Sequence, residues 1–74
     1  MTDTQYLERK IAESGKKKTY LAKQLGITYQ SLSNKINNRS EFTVRQMCAL
    51  SDELGIESLQ ERDMIFCAVE VKKN

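Results

Sequence analysis

The side chains of this chain best suited to binding chemistry are basic ones, concentrated in a stretch that lacks acids. Residues 14–40 contain six Lys or Arg and no Asp or Glu. Up to Arg45 the chain has nine basic and four acidic residues, a net charge of +5, whereas the remainder has three basic and six acidic residues, −3. A long stretch of one sign favours a polyanion, either nucleic acid or an anionic membrane face; a merely solvated helix surface is the alternative.

The side chains that perform most enzyme chemistry are missing. Histidine is absent, and the two cysteines, Cys48 and Cys67, stand alone. This excludes a His- or Cys-rich metal site and a Ser-His-Asp or Cys-His nucleophile, while isolated glycines exclude a glycine-rich phosphate loop. We therefore expect no enzyme activity, no metal and no other cofactor.

Length and hydropathy limit the architecture to one small domain. The chain has 74 residues, of which 39% are apolar, enough for a compact core. Its longest apolar run, Met64–Val69, is far shorter than the ~18 residues that cross a bilayer. The first residues lack the order of a signal peptide, so we expect a cytoplasmic protein with reduced thiols and no membrane partner.

Five helices are predicted to position the basic stretch, because capping residues and glycines alternate with apolar residues three or four apart. The predicted helices are Thr4–Glu13, Lys18–Leu25, one capped by Thr28 and ending near Ile36, one opened by a capping box at Thr43 and stopped by Gly55, and a short one after Ser58. The fourth helix is expected to turn Val44, Met47, Leu50 and Leu54 inward. A turn follows the third helix, where Asn38 tolerates the left-handed conformation.

After Asp63 the apolar period changes from helical to two. Ile65, Cys67, Val69 and Val71 alternate with the residues between them, which predicts a short C-terminal β-strand. We expect a helical domain over residues 1–63 and a strand or tail over residues 64–74. Since a single strand is not stable, antiparallel pairing with the same tail of a second copy is expected.

Residues 18–37, KTYLAKQLGITYQSLSNKIN, carry the pattern of two helices joined by a tight turn. Ala22 allows the helices to cross closely, and Gly26 suits a turn position with positive φ. The stretch resembles the helix-turn-helix of the lambda repressor and Cro superfamily, with Ala22, Gly26, Ile27, Leu32, Ser33 and the Asn37-Asn38 turn in register. The whole chain resembles small regulators of temperate phages of Gram-positive bacteria. It departs from the family at Asn38-Arg39, where glycine-lysine is more usual, and at Tyr29.

The resemblance implies an all-α, five-helix, lambda-repressor-like DNA-binding domain whose third helix enters the major groove. Base contacts are then expected from Tyr29, Gln30, Ser33 and Asn34, and phosphate contacts from Lys17, Lys18, Thr28, Lys35, Asn37 and Arg39. Gln30 is the best reader, since its amide pairs with adenine through two hydrogen bonds, and Asn34 can do the same. The partners implied are an operator in double-stranded DNA and a second copy of the chain, at the nucleoid of a bacterial host cell.

Two functions of different classes remain open from the residues. One is a sequence-specific transcription regulator, a Cro-like phage repressor. The other is an antirepressor or modulator that binds a partner phage repressor protein through the same face of the third helix.

Overall fold

A computed structural model describes residues 1–68 of the chain as five α-helices without a strand. The helices are α1 (Thr4–Ser14), α2 (Lys18–Leu25), α3 (Tyr29–Ile36), α4 (Val44–Leu54) and α5 (Leu59–Phe66). The predicted all-α class and the five helices are confirmed. Within residues 1–68, no helix is long and apolar enough to cross a membrane.

Side-chain caps set the beginnings of four helices. Asp3, Thr28, Thr43 and Ser58 each accept a hydrogen bond from the backbone N–H three residues later. Such a bond satisfies one of the N–H groups that the first helical turn leaves without a partner. At Thr43 the cap is reciprocal, because Gln46 also accepts from the Thr43 backbone.

One apolar cluster joins all five helices and the loop before α4. Its buried members are Leu7, Ile11, Leu21, Ala22, Leu32, Ile36, Phe42, Leu50, Leu54, Ile56, Ile65 and Phe66. The helix α2 packs on both α3 and α4. Ala22 is only 2% exposed, and its carbonyl accepts from the Ile27 amide at 3.0 Å across the turn between α2 and α3. Gly26 lies in that turn with φ of 74°, a conformation that glycine adopts without steric cost.

The prediction that Val44, the first residue of α4, faces inward is wrong. Val44 is 73% exposed, whereas Leu50 and Leu54 are buried. Phe42, two residues before the helix, fills this end of the core instead. Its ring meets the ring of Phe66 edge to face, with centroids 5.2 Å apart. Val44 at the start of α4 is therefore left outside.

The predicted C-terminal strand is not found at Ile65–Ala68. Helix α5 continues across the division expected after Asp63 and ends at Phe66. Ile65 and Phe66 are neighbours, and both are buried; two consecutive residues of a strand would point to opposite faces of a sheet. The backbone N–H of Ala68 donates to the Met1 carbonyl at 2.9 Å, so this part of the tail pairs with the chain's own beginning. Val69 and Val71 lie outside the described residues.

A polar cluster ties α1 to α5. The Tyr6 hydroxyl donates to Glu61 Oε2 at 2.9 Å, and the Lys10 ammonium group lies 3.4 Å from the same oxygen. The hydrogen bond from Tyr6 lowers the pKa of Glu61, and Lys10 adds to this effect. The same bond raises the pKa of Tyr6, because the neutral phenol is the donor.

The shifted pKa values predict how the stability provided by this cluster depends on pH. The lowered pKa of Glu61 gives stability that is present above its ordinary value of 4.5 and is lost as pH falls through the folded-state pKa. The raised pKa of Tyr6 gives stability that is present below 10.0 and is lost as pH rises through its folded-state pKa. Urea unfolding across pH should therefore show that Tyr6→Phe destabilises the protein at pH 7 and has a smaller effect in acid. An effect that is equal at pH 7 and pH 3 would contradict this role of the Tyr6–Glu61 bond.

Candidate nucleic-acid interface

Burial of one side of α3 determines which of its residues face outward. Leu32 and Ile36, four residues apart, are 0% and 1% exposed. The four residues predicted to contact bases are accessible on the same helix: Tyr29 and Gln30 are exposed, and Ser33 and Asn34 are half-buried. We call these four residues the polar face of α3.

Two amide side chains of the polar face are hydrogen-bonded to each other. Gln30 Nε2 donates to Asn34 Oδ1 at 3.1 Å, and Arg39 Nη1 donates to the same oxygen at 3.4 Å. The spacing of Gln30 and Asn34, one helical turn apart, is the sequence signal for the first bond. The contribution of Arg39 carries no such signal, since it depends on how the chain turns after α3.

The residues that follow α3 form a turn tied back to that helix. Asn37 Nδ2 donates to the Ser33 carbonyl at 2.9 Å, and the backbone N–H of Arg39 donates to the Asn34 carbonyl at 2.8 Å. Asn38 has φ of 65°, so the predicted left-handed conformation is confirmed. The Lys35 ammonium group reaches past the turn and donates to the Glu41 carbonyl at 2.9 Å.

Two lysines of the basic stretch have acidic partners elsewhere in the fold. The Lys18 ammonium group lies 2.9 Å and 3.0 Å from the two carboxylate oxygens of Glu8, and Lys16 lies 2.9 Å from Glu53 Oε1. Within residues 1–68, Lys17 and Lys23 are exposed and form no ion pair. The basic stretch is therefore partly neutralised by acids that are distant in sequence.

The residue directly before α3 carries a hydroxyl. Thr28 is the N-cap residue, and its Oγ1 accepts from the Ser31 N–H at 3.0 Å. A hydroxyl that accepts one bond still has its own hydrogen to donate. Thr28 can therefore donate to an anionic oxygen near the first turn of α3.

The beginning of the chain holds the end of α3, a contact that sequence reasoning missed. Thr2 is 6% exposed; its N–H donates to Asn38 Oδ1 at 2.8 Å, and its carbonyl accepts from Asn38 Nδ2 at 2.9 Å. The Thr4 hydroxyl donates to the Ile36 carbonyl at 2.6 Å. We call these contacts of Thr2 and Thr4 with Asn38 and Ile36 the N-terminal clamp. Nothing in the local sequence indicates contacts across more than thirty residues.

Comparison of the chain with protein-family models, with curated proteins and with solved structures finds no match. Its own residues must therefore support any functional assignment. Residues 1–68 contain no group of three His, Cys, Asp or Glu side chains that could hold a metal ion. Cys48 is half-buried and Cys67 is exposed, both as free thiols.

The N-terminal clamp predicts a graded response at Asn38. Asn38→Gly keeps the positive φ but removes two hydrogen bonds to Thr2, at a cost of about 1–3 kcal/mol in free energy of unfolding. Asn38→Ala should cost more, because alanine is strained at positive φ. Urea unfolding measures both variants, and hydrogen exchange at the Thr2 amide reports the clamp directly. Unchanged Thr2 protection in Asn38→Gly would show that the clamp does not hold this residue.

Proposed function

We propose that this protein is a sequence-specific DNA-binding transcription regulator, similar to the Cro-like phage repressors that its sequence resembles. The observation that carries the proposal is the polar face of α3, where Gln30 and Asn34 are hydrogen-bonded to each other at the surface. This face lies within residues 14–40, which contain no acid. Amide side chains held at an exposed helix surface without acids of its own suit hydrogen bonding to base edges between phosphates.

In the proposed complex, α2 and α3 act as a helix-turn-helix. The short turn containing Gly26 and the packing of α2 on α3 support this assignment. The α3 helix would lie in the major groove with its N-terminal residues nearest the bases, while α2 crosses the backbone. Tyr29 would then contact a thymine methyl group or a phosphate, and the small Ser33 would allow close approach.

Phosphate contacts are proposed on both sides of α3. Lys17 precedes α2, whose first backbone N–H groups also suit an anion, and Thr28 offers its hydroxyl at the start of α3. Lys35, Asn37 and Arg39 lie at or beyond the other end of α3.

Lys18 is retained as a phosphate ligand in this proposal although Glu8 binds it. The Lys18 and Glu8 side chains are 32% and 39% exposed. An ion pair this accessible is worth about 0–1 kcal/mol. A phosphate oxygen can therefore replace Glu8 at the Lys18 ammonium group at little cost.

Partial neutralisation of the basic stretch supports a second candidate, an antirepressor that binds a phage repressor protein. Lys16 and Lys18 are both paired with acids, which weakens the attraction of this surface for DNA. Tyr29 is 50% exposed and would contribute apolar area to a protein interface. The absence of acids from residues 14–40, which include all of α3, favours DNA as the first candidate.

Two substitutions test DNA binding through different effects, one on base preference and one on salt dependence. Gln30→Ala should cost about 1–3 kcal/mol on a preferred duplex and relax the preference at one base pair. Lys17→Ala should weaken binding to all sequences and reduce the salt slope by about 1. Fluorescence anisotropy titrations with specific and random duplexes at several salt concentrations measure both effects.

The matched control for the charge is Arg9→Ala. Arg9 stacks on the Tyr6 ring of α1, beside the contact with α5, and pairs there with Glu13. Its loss removes the same charge as Lys17→Ala but should leave the salt slope nearly unchanged. Equal loss of specific and random binding in Gln30→Ala would show that Gln30 does not read a base.

The assembly state separates the two candidate functions. We propose that the regulator binds as a homodimer, which places two α3 helices about one DNA turn, ~34 Å, apart. Sedimentation with a duplex containing two half-sites should then show two copies per duplex. A protein that ignores DNA but forms a 1:1 complex with a candidate phage repressor would support the antirepressor instead. Sedimentation of a shortened variant tests whether the C-terminal tail pairs the two copies. This variant must end after Ala68, because Ile65 and Phe66 belong to the core.

A further inference from the structure

We propose that Asn34 prefers a keto base, guanine or thymine, on the DNA strand that it contacts and disfavours the amino bases adenine and cytosine. This inference rests on the proposed DNA-binding function and specifies what one residue of that surface reads. It differs from the expectation drawn from the sequence, in which Asn34 pairs with adenine through both the oxygen and the NH₂ group of its amide.

The basis is the hydrogen bonding of the Asn34 carbonyl oxygen. Oδ1 accepts from Gln30 Nε2 at 3.1 Å and from Arg39 Nη1 at 3.4 Å, and a carbonyl oxygen has two lone pairs. Both lone pairs of Oδ1 therefore face donors of the protein itself. Within residues 1–68 the Asn34 side chain takes part in hydrogen bonds only through Oδ1, so the two hydrogens of Nδ2 are what this side chain offers to DNA.

The orientation of this amide is held by its neighbours. Rotating the Asn34 amide by half a turn would point its NH₂ group at the NH₂ group of Gln30 and at the guanidinium of Arg39. Arginine is charged at every accessible pH and can only donate, so the rotated arrangement opposes donors to donors. Arg39 thus fixes which end of the Asn34 amide faces outward.

The four bases differ in whether they can accept from such a group. In the major groove guanine presents the acceptors O6 and N7, and thymine presents the acceptor O4. Cytosine presents an NH₂ donor, and adenine presents an NH₂ donor beside N7. Against cytosine, the Asn34 donors and the base NH₂ group would lose water without gaining partners, which is unfavourable. Against adenine, N7 can accept one Asn34 hydrogen, but the neighbouring NH₂ group opposes the other, whereas guanine accepts both.

Gln30 offers the complementary pattern of groups. One of its amide hydrogens is given to Asn34, which leaves one N–H and the oxygen Oε1. A donor beside an acceptor matches N7 and the NH₂ group of adenine. Since Gln30 and Asn34 are four residues apart, about 6 Å along the helix axis, they are expected to read neighbouring base pairs, one adenine and one keto base.

Asn34→Asp is the substitution that tests this assignment. Its first carboxylate oxygen still accepts from Gln30 and Arg39, while the second replaces the outward NH₂ group with an acceptor. The preference at one base position should change from guanine or thymine to cytosine or adenine, while the adenine assigned to Gln30 stays. The change should be about fivefold or more in relative affinity. Asn34→Ala, which keeps neither group, should lose the preference at that position without acquiring a new one.

The experiment selects preferred duplexes from a random-sequence library with the wild type, Asn34→Asp and Asn34→Ala, followed by competition titrations between duplexes that differ at the changed position. Competition cancels the general loss of affinity that the added negative charge causes. Gln30→Ala is the comparison variant: Arg39 still donates to Asn34 Oδ1 in it, so it should remove the adenine preference at a different position and leave the position of Asn34 unchanged. Circular dichroism checks that each variant is folded.

Three outcomes are informative. A keto base in the wild-type site that becomes an amino base in Asn34→Asp supports the inference. A preferred sequence with no position that responds to Asn34→Asp, or with an amino base at the position that responds, overturns the inference and leaves the DNA-binding function standing. Failure of the folded wild type to enrich any sequence overturns the proposed function and the inference with it.

Discussion

Burial of Leu32 and Ile36 in the common core is the constraint on which the rest of the surface depends. The α3 helix has eight residues, fewer than an isolated helix needs to be stable in water. It therefore exists because α2 and the other helices cover its apolar side, and the same packing decides that Gln30 and Asn34 face outward. The core thus decides which residues of α3 form the polar face. Any substitution that loosens the packing of Leu32 or Ile36 would rotate or unfold α3 and displace the polar face.

Polar contacts then fix the conformation of the turn at the end of α3. The N-terminal clamp holds both the oxygen and the NH₂ group of the Asn38 amide, and Asn38 precedes Arg39 in the same turn. Arg39 binds Asn34 twice, through its backbone N–H to the carbonyl and through its guanidinium to the side chain. The connection therefore runs by hydrogen bonds from Thr2 to Asn38, along the backbone to Arg39, and by hydrogen bonds again to Asn34, so that the first residues of the chain help to orient the amides of the polar face.

The sequence predicted the helices well because their signals are local. Caps such as Thr28 and Thr43, and apolar spacing such as Leu32–Ile36, act within one or two turns and were confirmed. The predictions of an inward Val44 and of a strand over Ile65–Ala68 failed, because residues distant in sequence decide both. Phe42, before the helix, is buried while Val44 is exposed, and Ile65 and Phe66 are both buried as consecutive residues of α5, which packs on α1 and α4. The pairing of Lys18 with Glu8 and the contact of Thr2 with Asn38 depend on tertiary geometry, for which a sequence pattern gives no signal.

Charge and hydrogen bonding have different parts in the proposed DNA complex. Attraction to phosphates is independent of sequence and grows with the number of phosphates that Lys and Arg side chains neutralise. Acids of α1 and α4 neutralise Lys16 and Lys18, which lowers this general attraction. The hydrogen-bonded amides of Gln30 and Asn34 lose none of their discrimination, because their partners are base edges. A surface with reduced charge and pre-oriented amides therefore binds random DNA less while keeping its preference for one sequence. Specificity is the ratio of these two affinities. Because the attraction to phosphates is common to both, the ion pairs of Lys16 and Lys18 lower the affinity of the proposed regulator for all DNA and leave its discrimination to Gln30 and Asn34.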